Sequence, residues 1–169
     1  LFGLSFAGHE TTTNLAANCI RTIVEQYSWS KLRQNPTMVK PLIDETLRFD
    51  SSVIAWRRIA KQNTTIGGVK IPKGAKLMLS IGAANRDPEV FENSDKFDPT
   101  REMPNDHFSF GKGIHYCLGA QLGRTEVHII LEQMAERFSD LILLADSHDF
   151  SPNIAFRGPL SLPARWTLA

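Results

Sequence analysis

Phe110-Gly111-Lys112-Gly113-Ile114-His115-Tyr116-Cys117-Leu118-Gly119 is the stretch on which the reading of this 169-residue chain turns. Cys117 closes a glycine-bearing loop and stands just before a strong helical pattern. Backbone N–H groups and the positive dipole end at a helix start favour an anionic sulfur there. Gly111 and Gly113 let the chain turn tightly and pass close to a flat ligand. His115, two residues before the sulfur, can donate to an anionic group beside it. On the residues alone the loop holds an inert buried cysteine, a Cys–His nucleophile of a thiol hydrolase, or a zinc ligand. Zinc is the weakest of the three, because the chain has no C-x-x-C pair and its five histidines are scattered. The apparent G-x-G is no dinucleotide fingerprint either, since Tyr116 stands where the third glycine belongs.

Outward from this loop, helical periodicity dominates. A helix is expected from just after Cys117 to about Phe138, with Val127, Ile130, Leu131, Met134 and Phe138 as its apolar stripe. Another spans Leu1 to about Gln26, although Gly8 and the Thr11-Thr12-Thr13 run are poor helix formers. Threonines on a buried helix can simply bond back to the preceding turn; a conflict between pattern and propensity can equally mark a functional site. Tyr27 to Leu32 forms a short segment. Asn35-Pro36 then starts a helix to about Arg48, striped by Met38, Val39, Leu42, Ile43 and Leu47. Beyond Ser52 the period shortens, and Thr64–Ile66, Val69–Ile71 and Lys76–Ile81 read as strands separated by Gly67-Gly68 and Pro72-Lys73-Gly74. Residues 85–115 are loop-rich, and loops of that length in a compact domain are usually functional. The tail from Ile154 to Leu168 reads as a hairpin turning at Gly158-Pro159. The fold class is mainly α, with small antiparallel β-sheets.

Composition removes whole classes of function. Nineteen Lys and Arg against 18 Asp and Glu leave a net charge of +1, which gives no field for nucleic acid and no polybasic patch for a membrane surface. Apolar residues at 42% suffice for a packed core. Two cysteines make no disulfide framework, and no apolar run nears the ~20 residues of a membrane span. Cys19 lies mid-helix among apolar neighbours and reads as packing. The expectation is a cytoplasmic globular chain without its upstream half.

The loop resembles the haem-binding segment of cytochrome P-450 monooxygenases, F-x-x-G-x-x-x-C-x-G, through Phe110, Gly113, Cys117 and Gly119, with Gly111 and His115 as frequent additions. At about one chance in twenty per position, six matches arise about once in 10⁸ windows, which outweighs the prior for an inert cysteine. Ala7-Gly8-His9-Glu10-Thr11-Thr12 is similar to the family's segment crossing the distal face of the haem. Glu45-Thr46-Leu47-Arg48 is similar to its E-x-x-R. Trp56-Arg57-Arg58 falls where the family places an arginine near a haem propionate, and the register favours Arg58. Ala83 to Pro88 and Arg157 to Trp166 also look like soluble bacterial members, and both read as structural.

This resemblance implies haem b (iron protoporphyrin IX) with Cys117 as the metal ligand, and Gly8, Arg58, Phe110, Gly111, Gly113, His115 and Gly119 around the cofactor. Glu10 and Thr11 take the catalytic role, a carboxylate and a hydroxyl anchoring proton delivery to bound O2. A small organic substrate and a ferredoxin- or flavin-type electron donor follow as partners, with neither nucleic acid nor membrane. Lys112 and Arg124 are surface charges that could meet an acidic donor. Residues 1–169 would be the C-terminal, haem-ligating portion of one P-450 domain, incomplete without its N-terminal half. The competing reading is a non-catalytic remnant or interaction module that keeps the motifs. One conflict stands out. Helical-wheel geometry alone makes Glu45–Arg48 an exposed ion pair, whereas the resemblance implies that both are buried with Arg101.

Overall fold

Leu15, Cys19 and Ile23 recur at four-residue intervals, and all three are buried on one face of the first helix. The computed structural model describes residues 2–102, 106–145 and 147–169. Leu1, where the first helix was expected to begin, lies outside the described residues. α1 (Phe2–Thr22) continues into a wider π-helical turn at Ile23–Tyr27, so the expected helix to Gln26 changes its winding in the last turn. α2 (Trp29–Gln34) follows, then a 3₁₀ turn at Pro36–Met38 and α3 (Val39–Phe49). α5 (Ala120–Arg137) is the second long helix, and α1, α3 and α5 pack on one another. Their shared core joins Leu15, Cys19 and Ile23 to Leu42, Ile43, Leu47, Val127 and Leu131. Burial pushes the Cys19 thiol up to about 12, which keeps it a neutral packing group.

The buried stripe of α5 differs from the one expected. Ala120, Gly123, Val127, Leu131 and Ala135 face inward, while Ile130 remains 38% exposed. Small residues let α1 come close: a Cβ on Gly123 would lie 3.5 Å from Thr12 Oγ1. Of the expected stripe, Val127 and Leu131 are buried and Met134 and Phe138 pack against the core, so bulk alone misplaced Ile130 and overlooked the small residues. At the far end, Trp29 Nε1 donates to Phe138 O (3.0 Å) and Arg33 Nε to Ala135 O (2.9 Å). These bonds satisfy carbonyls that the last turn of a helix leaves without internal partners.

Among the described residues, three two-stranded antiparallel sheets flank the helices. β1 (Ala55–Ile59) pairs with β4 (Lys76–Ser80), and β2 (Thr64–Ile66) with β3 (Val69–Ile71). Ile81 leaves the strand and opens the short helix α4 (Ile81–Ala84). The expected tail hairpin is corrected. β6 (Ala164–Leu168) pairs with β5 (Phe138–Leu143), directly after α5, and Trp166 meets Phe138 at 5.7 Å. Gly158-Pro159 lies instead against the preceding segment, where Ser151 N donates to Gly158 O (3.1 Å) and Phe150 bridges Pro159. A local turn signal lost to a distant strand that offered both a ladder and an apolar face.

The tail is also pinned to α1. Asn18 Nδ2 donates to Arg157 O (3.1 Å), and Asp50 accepts from Arg21 and from Arg157 Nε (2.7 Å). A Cβ on Gly158 would come within 2.9 Å of Asn14 Cβ and closer still to its amide. Gly158→Ala is expected to cost about 1–3 kcal/mol by overpacking, read as a lower urea midpoint, and Asn14→Gly in the same chain should recover most of it.

Candidate functional site

Seven consecutive residues of α3, from Leu42 to Arg48, are buried, so this helix has no solvent face over its C-terminal half. Glu45 and Arg48 are at most 1% exposed. Arg48 Nε and Nη2 hold the two Glu45 oxygens at 2.8 and 2.7 Å in a forked pair. The other guanidinium protons go to backbone carbonyls: Nη1 to Asn85 O (3.0 Å) and Ser94 O (2.8 Å), Nη2 to Lys96 O (3.0 Å). All five donors are satisfied. Arg101 Nε reaches Glu45 Oε2 at 3.5 Å as an ion pair without hydrogen-bond geometry, and Arg101 Nη2 shares Lys96 O with Arg48. The wheel-based expectation of an exposed pair is thus overturned. The polar face of α3 packs on the carbonyl-rich loop after α4, where a wheel assumes water.

That loop leads into the cysteine segment through polar contacts of Asn85, which is fully buried. Asn85 Oδ1 accepts from Phe108 N (2.7 Å), and its Nδ2 donates to Ser109 Oγ (2.9 Å). Ser109 Oγ in turn donates to Leu47 O (2.5 Å), and Ser109 N donates to His107 Nδ1 (3.2 Å). Burial, reinforced by the positive charges of Arg124 and Arg48, presses the His107 pKa down to about 4. Sequence reasoning missed His107 and Ser109, and took Asn85 only as part of a structural stretch. A single polar residue in a loop carries no periodic signal.

The segment itself is an open, reversed loop. Gly111 and Gly113 have φ of +73° and +74°, a region that residues with a Cβ enter at a cost. Phe110 O accepts from Cys117 N at 2.9 Å and closes the loop. A 3₁₀ turn at Gly113–His115 brings the chain to Cys117, a free, exposed thiol at the mouth of α5. Gly119 stands next to it, where an added Cβ would lie 4.0 Å from the sulfur. His115 is exposed beside it. Phe110 is half-buried under the Arg124 guanidinium, 4.4 Å from its ring centre.

Arg124 corrects an expectation. Rather than an ordinary surface charge, it donates to Asp44 of α3 at 2.9 Å and bonds Tyr116 of the loop. Burial opposes its charge, but these two partners outweigh that and hold its pKa above the ordinary value. It therefore fastens the loop to α3. Lys112 keeps its exposed position, its ammonium 5.6 Å from the Phe108 ring centre.

Gly8, Glu10 and Thr11 lie on α1, at an exposed and two half-buried positions. Nothing lies within 4 Å of a Cβ placed on Gly8. Thr11 Oγ1 donates to Ala7 O (2.6 Å), and Thr13 Oγ1 to His9 O (2.8 Å). The hydroxyl is thus turned back on its own helix and makes no hydrogen bond with Glu10. Arg58 is exposed on β1, donating to Arg57 O (2.9 Å). Alternation puts it on the same sheet face as Trp56, which meets Phe156 (6.0 Å), itself against Phe6 of α1 (6.1 Å). Phe156 thus links that face, at Trp56, to α1.

The donor set can be tested for a metal group. Among the described residues no three His, Cys, Asp or Glu side chains cluster to hold an ion. Ile114 and Leu118, on either side of the sulfur, are 97% and 98% exposed. A soft thiol between two bare aliphatic side chains, with glycines lowering the rim, suits a flat apolar macrocycle.

The family model for cytochrome P450 matches residues 20–149. The chain is 40% identical to the biotin biosynthesis cytochrome P450 of Bacillus subtilis, over 95% of this chain and 40% of that protein. To cytochrome P450 107B1 of Saccharopolyspora erythraea it is 41% identical, over 98% of this chain and 42% of the relative. Among solved structures, cytochrome P450 CREJ in complex with (4-ethylphenyl) dihydrogen phosphate superposes with a TM-score of 0.94 at 43% identity, covering 97% of this chain and 41% of that one. The chain thus spans about two fifths of the length of the relatives it matches.

Two measurements test this geometry. Glu45→Gln leaves Arg48 charged and buried without its anion and should cost about 3–5 kcal/mol, seen as a lower denaturation midpoint. His107 is held neutral when folded but takes a proton near pH 6.5 when unfolded. Stability should therefore be full above about pH 6.5 and fall by about 1.4 kcal/mol per unit toward pH 4. His107→Leu should flatten that slope in urea melts run across this range.

Proposed function

Because this chain belongs to the cytochrome P450 family, we propose that residues 1–169 are the haem-ligating portion of a single larger domain that works as a monooxygenase. The observation that carries the reading is Cys117, free and exposed between Ile114 and Leu118 at the start of α5. Cys117 binds the iron of haem b as a thiolate. Gly111, Gly113 and Gly119 let the ring lie close to the backbone. Phe110, clamped by Arg124, supports the loop from beneath. His115 and Arg58 donate to the propionates, an assignment supported by their exposure and by the face Arg58 shares with Trp56. When bound, haem supplies the chemistry that places one atom of O2 in an organic substrate while the other leaves as water, with two electrons and two protons supplied.

The protein's own contribution to handling O2 would come from α1. Gly8 leaves space for a small molecule beside the helix. Thr11 Oγ1, turned from Ala7 O, would offer its hydroxyl to a ligand there, and Glu10, the residue before it, would supply the exchangeable proton. A ferredoxin or flavin-type protein delivers electrons, and Lys112 is an exposed cation on the cysteine-loop side that could attract an acidic donor. No described helix is long and apolar enough to cross a membrane, and a cytoplasmic setting fits this chemistry.

In the complete protein, the ferrous–CO spectrum should show the strongly red-shifted Soret band of thiolate ligation, and Cys117→Ala should abolish it. Absence of haem uptake by the unaltered protein would favour the non-catalytic remnant instead. Thr11→Ala should leave that band in place, yet lower product formed per electron pair consumed by about a hundredfold, the low end of what positioned acid–base groups contribute.

A further inference from the structure

We propose that Asn85 is a positioning residue for the iron-ligating sulfur, acting through Ser109 and the backbone of the cysteine segment. This inference rests on the haem-thiolate reading above. Asn85 is fully buried, and every polar group it owns is committed inside the protein. Its N–H donates to Ile81 O (2.9 Å), and its carbonyl accepts from Arg48 (3.0 Å). Its side-chain oxygen takes the Phe108 N–H (2.7 Å), and its side-chain nitrogen donates to Ser109 Oγ (2.9 Å). One planar amide thus grips two consecutive residues, once as acceptor and once as donor. Neither a carboxylate nor an aliphatic side chain can do both.

The grip lies one short step from the ligand. Phe108 O accepts from Gly111 N (2.8 Å), and Phe110, the residue after Ser109, presents its carbonyl to Cys117 N (2.9 Å). The Cys117 backbone is therefore anchored to the segment that Asn85 holds, and Asn85 is anchored through Arg48 to the buried pair in α3. On the ligand side of the loop Ile114 and Leu118 are bare, and the second fastening, through Arg124, reaches Phe110 and Tyr116 and not the Cys117 backbone. Metal ligands depend on neighbours of this kind for their orientation, and small displacements alter both bond strength and redox poise.

The test uses the haem-loaded full-length protein in three forms: unaltered, Ser109→Ala and Asn85→Ala. The readouts are the iron–sulfur stretching frequency and the ferrous–CO Soret position, with melting temperature alongside. The expected result at full haem occupancy is a lowered iron–sulfur frequency and a severalfold larger fraction of the non-thiolate band. Both should be greater for Asn85→Ala than for Ser109→Ala. Frequencies and bands that match the unaltered protein, even with lower melting temperatures, would overturn the inference and leave Asn85 as fold support alone. If Asn85→Ala does not fold, Ser109→Ala decides; loss of its fold as well would also overturn the positioning role. An unaltered protein that shows no thiolate band, or keeps it in Cys117→Ala, would instead remove the haem-thiolate reading, and the inference with it.

Discussion

A forked ion pair taken wholly out of water, Glu45 with Arg48, is the constraint on which the rest of this structure depends. Burying two charges is costly, and their mutual attraction offsets that cost only if the remaining lone pairs and protons find partners. Here Arg48 spends three of its five protons on the carbonyls of Asn85, Ser94 and Lys96, and Glu45 accepts the Asp98 N–H as well (2.9 Å). Residues 85–101 have almost no regular secondary structure of their own. The pair is what gives this segment a shape, because satisfying the guanidinium requires those carbonyls to converge.

From that knot, order passes to the chemistry in two directions. One runs through Asn85 and Ser109 into the residues before Cys117. The other runs through Asp44 and Arg124, which stacks on Phe110 and bonds Tyr116 within the loop. Both start on α3, and α3 is clamped between α1 and α5 in the same apolar core. A loop with two positive-φ glycines and bare aliphatic side chains has little reason to keep one conformation alone. Fastening it at its base, while leaving its ligand face open, reconciles rigidity at the sulfur with access to a large flat group.

The contrast between α3 and α5 shows where pattern reading succeeds. In α3 the apolar stripe Val39, Leu42, Ile43 and Leu47 is buried as its spacing requires, yet the opposite face is buried too. In α5 the largest side chains marked the wrong edge of the stripe, because close approach to α1 selects Ala120 and Gly123 over Ile130. Periodicity reports that a face is buried. It does not report what a polar face meets, nor how near the neighbouring helix comes.

The amino-acid order by itself determined the long helices, the strands β2 and β3 and the cysteine loop, since each follows from spacing, turn residues or a dense local motif. Arg58, Glu10 and Thr11 were likewise legible as candidates from short motifs. The partners of β5 and β6, the inward face of α5, the burial of Glu45 and Arg48, and the tethering of Arg124 to Asp44 were decided only in three dimensions. Asn85, Ser109 and His107 belong with them. The hydrogen bonds of Asn85 and Ser109 join residues 23 to 62 positions apart, and such separations leave no period in a sequence, because any residue with the right donor and acceptor serves once the apolar core has brought the segments together.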